Sequence, residues 1–464
     1  MVEWKHLISH CMHTKNTKQS IHFIGIGGIG MSSLAQYFLA RGAHVTGSDL
    51  KGSEITALLE EKGATIRVGP HTGRNIPQST ERIIISAAID AENAEYKAAK
   101  KRKIPVRTYA EAVGELTRSY RTIAVSGAHG KSTTTALSAL TLERAGMDPV
   151  AIVGTRLHEW RGANFRMGRG DYLVLEADEY AGAFRRYIPT IIIATNIDRE
   201  HLDYFKTFNN VKKAFSQFFA SAPRGTTYIL NRDDPHLWEI GKGFSRGKKV
   251  IWYSLSSADA EKIAAVIQTP GRHSVSNALA VLALARVLNI PESIVMNVLQ
   301  SYRGSWRRAE YKGRVGGAAV YDDYAHHPTE IRATLAGFRE MNPTARIWCV
   351  FQPHQQRRLE LLFDDFVSAF HHADRIVLLE PYRVPGRETN EVTRVGKKII
   401  PTEEGHTVFD LAAAIDRVSK KIVFHIQYPS ELKAFIATNV LEGDIVIMMG
   451  AGNINELTPQ LLTA

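Results

Sequence analysis

Short apolar runs alternate with helical patterns along most of this chain. The runs include "IHFIGI" (21–26), "AHVTGS" (43–48), "RIIISAAI" (82–89), "TIAVSGA" (122–128), "DYLVLEAD" (171–178) and "TIIIATNI" (190–197). Later come "TTYILN" (226–231), "KVIWYSL" (249–255), "GAAVYDDYA" (317–325), "RIWCVFQP" (346–353), "RIVLLEP" (375–381), "KIVFHIQ" (421–427) and "DIVIMMGAG" (444–452). Runs without polar alternation suit strands buried on both faces of a mostly parallel sheet. Between them, "MSSLAQYFLARG" (31–42) and "HSVSNALAVLALARVLNI" (273–290) predict helices. Strand and helix in alternation predict a doubly wound α/β architecture.

A length of 464 residues leaves room for about three domains. Residues 1–19 have no apolar signal-peptide core and read as a frayed extension. The expected divisions are 20–118, around a first glycine loop; 119–308, around a second; and 309–464. The crowded Gly304, Gly313, Gly316 and Gly317 of "SYRGSWRRAEYKGRVGG" (301–317) mark the second junction. No apolar run approaches the ~18 residues of a membrane span. Cys11 and Cys349 form no disulfide framework, and a cytoplasmic location is expected. The net charge of +11 suits nucleic acid or small polyanionic substrates. The densest basic stretches, 97–103 and 248–250, are short and lack interleaved aromatics, which argues against nucleic acid.

Two loops carry the chemistry. In "HFIGIGGIGMSS", Gly25, Gly27 and Gly30 match G-x-G-x-x-G, and Asp49 closes the next apolar run. That pattern allows close backbone approach to a diphosphate at a helix start, and NAD is the first ligand it suggests. In "TIAVSGAHGKSTTT", Gly127, Gly130, Lys131 and Ser132 follow a strand and open a helix. Amides there can cradle phosphate, lysine can reach the outer phosphates, and serine can hold Mg²⁺. Val125 stands where the full G-x-x-x-x-G-K-[ST] pattern needs glycine, so the loop is a shortened variant. Two strand ends add carboxylates: Glu176, Asp178 and Glu179, then Asp198, Glu200 and Asp203 with His201. Hard Mg²⁺ prefers such oxygens. A lone strand-end histidine is more often structural, but this strand is expected beside the loop. Together the features point to ATP·Mg²⁺ and away from hydride transfer.

At these motifs the chain resembles the Mur ligases of bacterial cell-wall synthesis, over about residues 20–455. "GIGGIGMSSLA", "GAHGKSTTT", "EADEY", "TNIDREHLDYF", "PGRHSVSNALA", "SYRGSWRRAE", "YDDYAHHPTEI" and "FQPHQQRRLELLFDDF" carry the likeness, the last two resembling the alanine-adding branch. The resemblance implies three α/β domains: a Rossmann-like UDP-binding domain, a central P-loop-type ATP-binding domain and a Rossmann-like C-terminal domain. It implies ATP-dependent joining of L-alanine to the carboxylate of UDP-N-acetylmuramate through an acyl phosphate, by a monomer or dimer without nucleic-acid or membrane partners. Gly127, Ala128, His129, Gly130, Lys131, Ser132, Thr133, Asn277, Arg308 and Asp323 are then expected at ATP. Ser132, Glu176 and His201 are expected at Mg²⁺, with Lys131, Glu176 and His201 catalytic. Gly25, Gly27, Gly28, Ile29, Gly30, Met31, Ser32, Asp49, His71 and Arg358 are expected at the UDP-sugar, and Tyr324 and His326 at alanine.

The sequence departs from the family pattern at Ser274, Gln355, Ala309 and Asn453, and the 256–268 segment is short, which predicts reduced accessory strands. Lys212 and Lys213 lie too close to His201 to be assigned as a carbamylated ligand. His371 and His372 read as surface residues, and Asp364 and Asp365 as a solvated helix face. A ligase for a murein tripeptide and a non-catalytic nucleotide-binding relative are the rival functions.

Overall fold

The computed structural model describes residues 19–244, 247–382 and 406–462, with two short strands between the last two segments. The expected extension thus lies outside the described residues save for its last position, and so does the side chain of Asp203. The chain divides into two compact units. One holds the residues up to 200, with 207–254 and 280–298; the other holds 201–206, 255–279 and 299 onward.

The first unit contains two sheets. In the first, β1 (Ser20–Ile24), β2 (His44–Asp49), β3 (Thr65–Val68), β4 (Arg82–Ile85) and β5 (Val106–Thr108) lie in the order β3-β2-β1-β4-β5, all parallel. β1 is buried along its whole length, as its unbroken apolar run predicts. The second sheet takes β6 (Arg121–Ser126), β7 (Val150–Leu157), β8 (Ala163–Arg166), β9 (Tyr172–Glu176), β10 (Ile191–Ala194), β11 (Thr227–Asn231) and β12 (Lys249–Tyr253). Its order is β12-β11-β10-β6-β9-β7-β8, and only the β7–β8 pair is antiparallel. β6 therefore has β9 on one side and β10 on the other. Its C-terminal end is a switch point, where open α/β sheets bind ligands.

Asn164 on β8 ties the two sheets of this unit together. Its amide donates to the Ile29 carbonyl at 2.6 Å, and its side-chain oxygen accepts from Gln36 at 2.9 Å. Arg156 on β7 pairs with Glu54. Gly114 lies so close to the Arg186 carbonyl that a Cβ would sit 2.6 Å from that oxygen. Only glycine allows the Tyr109–Thr117 helix that approach.

The second unit is built on β13 (Glu310–Val315), β14 (Ala318–Asp323), β15 (Ile347–Phe351), β16 (Arg375–Leu379), β19 (Ile422–Ile426) and β20 (Ile445–Met449), in the order β13-β14-β20-β15-β16-β19. The short pair β17 (Arg394–Val395) and β18 (Lys398–Ile399) stands apart from this sheet. Within the six-stranded sheet β13 and β14 form an antiparallel hairpin and the other pairs are parallel, whereas β17 and β18 pair antiparallel. Phe338, Phe351, Phe366 and Phe370 fill the core on one face, and Trp348 with Ile436 packs on the other. The short 256–268 segment contributes a helix, Ala258–Ala264. The expected helix at 273–290 runs Arg272–Val287.

Candidate functional site

The first glycine loop follows β1. Gly25 has φ 79°, which glycine alone adopts cheaply. Gly25 and Ile26 donate their amides to the Ser48 carbonyl, and Gly27 donates to Asp49 Oδ2 at 2.8 Å. Asp49 thus shapes the loop as well as standing beside it. The helix runs Ile29–Ala40 from an extended Gly28, two residues earlier than the sequence suggests. Ile29, Gly30 and Met31 occupy its first turn, where amides lack intrahelical acceptors and favour an anion. Ser32 behaves differently. It is fully buried, its amide binds the Gly28 carbonyl, and its hydroxyl is committed to Ile29 and Asn164. Tyr109, which the sequence did not single out, closes over Gly30; a Cβ there would meet its ring at 2.9 Å.

The second loop leaves β6 at its switch point. Gly127 has φ 136°, and a Cβ on it would sit 2.0 Å from Thr195 Oγ1. Gly130, left-handed at φ 81°, begins the Lys131–Arg144 helix. Thr195 and Asn196, at the end of β10, grip the His129 backbone from both sides: Thr195 donates to its carbonyl at 2.6 Å, and its amide donates to Asn196 at 2.8 Å. The His129 ring meets Asp198 at 2.9 Å. Lys131 Nζ donates to the Gly127 carbonyl at 2.5 Å, the Ala128 carbonyl at 3.1 Å and the fully buried Glu179 at 3.1 Å. Burial alone would lower its pKa, but Glu179, Asp178 and Glu176 outweigh it and hold the ammonium well above its ordinary range. Ser132 is buried and Thr133 half-buried behind the lysine. Glu176 ends β9 and accepts the Gly154 amide of β7. Gly154 makes room for it, since a Cβ would lie 2.6 Å from both carboxylate oxygens. The structure thus gathers Lys131, Glu176, Asp178 and Glu179 around one loop. These carboxylates are hard oxygen donors of the kind Mg²⁺ takes.

In the second unit the expected residues collect at the C-terminal strand ends. Asp323, at the end of β14, accepts the Ala309 amide at 2.7 Å and the Ala325 amide at 2.8 Å, and burial raises its pKa. Arg308 lies 5.1 Å from the Tyr324 ring centre and 3.7 Å from Glu330. His326 contacts Tyr324, Glu330 and the ring of His354. Arg358 reaches His354 Nδ1 at 3.3 Å, and His354 stacks on Tyr382. Arg308, Asp323, Tyr324, His326 and Arg358 thus fall on one edge. Asn277 lies on the Arg272–Val287 helix, buried. His201 starts the Leu202–Phe205 helix with a left-handed φ of 55°.

The unexpected member of this edge is Arg307, adjacent to Arg308. It is buried, left-handed at φ 55°, and donates to the Gly452 carbonyl at 3.0 Å and to the Gly450 carbonyl. Burial lowers its pKa. "WRRAE" holds no periodic signal that tells the clamp from its half-buried neighbour. Where the sequence departs from the family pattern, Ser274 turns its hydroxyl onto the Pro270 carbonyl at 2.8 Å, and Asn453 accepts from Gln352 at 3.2 Å. Ala309 has φ 50° and Gln355 φ 70°. His371 is exposed and His372 half-buried; Asp364 is exposed and Asp365 half-buried.

A shortened phosphate loop between two acidic strand ends, at the switch point of a largely parallel sheet, defines an α/β protein of the nucleotide-using class. Family models agree. The Mur ligase family catalytic domain matches residues 20–121, the Mur ligase middle domain 125–285, and the Mur ligase glutamate ligase domain 307–452. A UDP-N-acetylmuramate–L-alanine ligase of Desulfatibacillum aliphaticivorans is 36% identical, over 96% of this chain and 99% of its own. Among solved structures, a UDP-N-acetylmuramate–alanine ligase from Thermotoga maritima superposes with a TM-score of 0.77 at 24% identity, over 96% of this chain and 98% of its own. A murein peptide ligase from Psychrobacter arcticus gives 0.65 at 22%, over 96% and 98%. The chain belongs to the Mur ligase family, with its three α/β domains.

Proposed function

We propose that this chain joins L-alanine to the carboxylate of UDP-N-acetylmuramate, with ATP as phosphoryl donor and Mg²⁺ as its metal. The observation that carries the reading is the Lys131 loop, flanked by Glu176, Asp178 and Glu179, in a chain 36% identical to an alanine ligase along almost its full length. The muramyl carboxylate attacks the γ-phosphorus and ADP departs, leaving an acyl phosphate. The amine of alanine attacks the acyl carbon, and inorganic phosphate leaves. No protein nucleophile is needed, so the chain's work is placement and charge neutralisation.

Lys131 exchanges its bonds to Glu179 and the loop carbonyls for bonds to the transferred phosphoryl group. Glu176, Asp178, Ser132 and His201 are the residues proposed for Mg²⁺, which would supply neutralisation of phosphate charge. Loop amides from Gly127 to Thr133 are proposed to cradle the phosphates; on the family resemblance, Asn277, Arg308 and Asp323 are the residues of the second unit proposed for ATP. Asp323 retains acceptor capacity beyond its two amides. Gly25, Gly27, Gly28 and the helix start Ile29–Ser32, with Asp49 and His71, are the residues proposed for the UDP diphosphate; Arg358 is proposed for the sugar, and Tyr324 and His326 for the amino acid. The proposed divisions are 20–118, 119–308 and 309–464.

The test is ADP release with UDP-N-acetylmuramate, ATP and Mg²⁺, offering alanine, glycine, serine or the murein tripeptide. Turnover with alanine is expected. Turnover with the tripeptide alone would assign the recycling activity instead, and none with any amine would leave a non-catalytic relative.

A further inference from the structure

Beneath the first glycine loop lies a buried polar network that the ligation scheme does not use. His22 on β1 and Glu95 on the Ala94–Lys101 helix are both fully buried. Each Glu95 oxygen takes two partners. Oε2 meets His22 Nε2 at 3.1 Å and Ser48 Oγ at 2.7 Å. Oε1 meets His71 Nδ1 at 3.1 Å and Asn75 Nδ2 at 2.6 Å. His22 Nδ1 meets Thr46 Oγ1 at 2.8 Å. Burial opposes charge on Glu95, but its bonds to His22, Ser48 and Asn75 prevail, and the carboxyl stays below its ordinary pKa.

An ionised carboxylate only accepts hydrogen bonds. His71 must therefore present Nδ1–H to Glu95, and its one partly exposed ring, 10% accessible, has Nε2 as its remaining polar atom. The same logic puts the proton of His22 on Nε2 and makes its Nδ1 the acceptor of the Thr46 hydroxyl. Ser48 links this network to the loop: its hydroxyl binds Glu95, while its carbonyl holds the Gly25 and Ile26 amides.

We propose that Glu95 is a positioning residue for the nucleotide-diphosphate site. It fixes the tautomer and orientation of His71 so that Nε2 faces the diphosphate, and through Ser48 it holds the glycine loop in register with that ring. This rests on the diphosphate reading of the loop given above. A carboxylate behind a histidine is the arrangement by which proteins set which ring nitrogen works.

Glu95→Gln in the full-length chain is the first variant, because the amide keeps the volume and loses the charge. KM for UDP-N-acetylmuramate is expected to rise about tenfold, the weight of a weakened charge-assisted hydrogen bond. The kcat, and KM for ATP, should stay within about twofold. His71→Ala should give a similar rise, and the double variant little more, because the two act as one unit. A Glu95→Gln protein with unchanged KM, or fully additive effects, would overturn the proposal. ¹⁵N–¹H correlation of the histidine rings in the unmodified protein gives a readout independent of turnover and of whether the variant folds. A proton on Nδ1 of His71 and a shift of its Nε2 signal on titration with UDP are expected. A proton resting on Nε2 instead would overturn the role of Glu95, whether or not the chain ligates alanine. The expected tautomer with no response to UDP would overturn the diphosphate contact.

Discussion

Single side chains do unequal work at the strand ends. Lys131 is held by two carbonyls and Glu179, so its removal takes an ion pair from a buried carboxylate and the cation from the proposed phosphoryl path. Lys131→Ala is expected to lower turnover by about 10³-fold, the scale of losing one preorganised charge-stabilising group. UDP-sugar affinity, read by calorimetry, should change by less than about twofold, because that ligand is assigned to the edge of the other sheet. Equal losses in both would contradict the assignment. Arg307 and Arg308 show why neighbours of one type need separate treatment. The first clamps Gly450 and Gly452 from a buried position; the second lies over Tyr324, more accessible. Arg307→Lys cannot reproduce a two-carbonyl fork and should destabilise the protein, whereas Arg308→Lys should chiefly raise KM for ATP. Urea titration and steady-state kinetics separate the two effects.

At the scale of elements, glycines decide where acids can stand. Gly154, in the middle of β7, has no turn to explain it; the carboxylate of Glu176 occupies the space of its missing side chain. Gly154→Ala is expected to raise KM for Mg·ATP several-fold while moving the melting temperature little, since the displaced group is a side-chain end rather than backbone. The strands, the two loops and their acids were legible because unbroken apolar runs and loop glycines are local signals. The strand expected beside the loop, the one that leads to His201, is β10, and it pairs with β6. Gly154, Asn164, Glu95 and Arg307 were not legible, because each acts on a residue distant in sequence. The bond from Asn164 to the Ser32 hydroxyl, 132 residues apart, was likewise out of reach of any local signal. The helix start was set two residues late because Gly28, read as loop, serves as its cap.

For the whole molecule, stability should carry a pH signature from Asp322. Burial pushes its carboxyl up to about 6, against the pull of its bond from Thr458. A raised folded-state pKa means that the folded form binds the proton more tightly. The stabilisation is therefore fully present below the ordinary value near 4 and is lost as pH rises through about 6. The loss is on the order of 3 kcal/mol. Asp322→Asn should flatten the unfolding free energy between about pH 4 and 6.5 and raise it at pH 7.5; a variant with the parent's slope would rule this group out. A last consequence follows from Asn164, whose amide closes on Ile29 and Gln36 across two sheets. The segment proposed to bind the nucleotide diphosphate is not portable. A chimaera that swaps residues 20–118 for those of a relative must bring matching partners for Asn164, or leave its buried amide without its bonds to Ile29 and Gln36. Recombination at that boundary is thereby restricted to pairs that already share the seam, even though the sheets on either side look interchangeable.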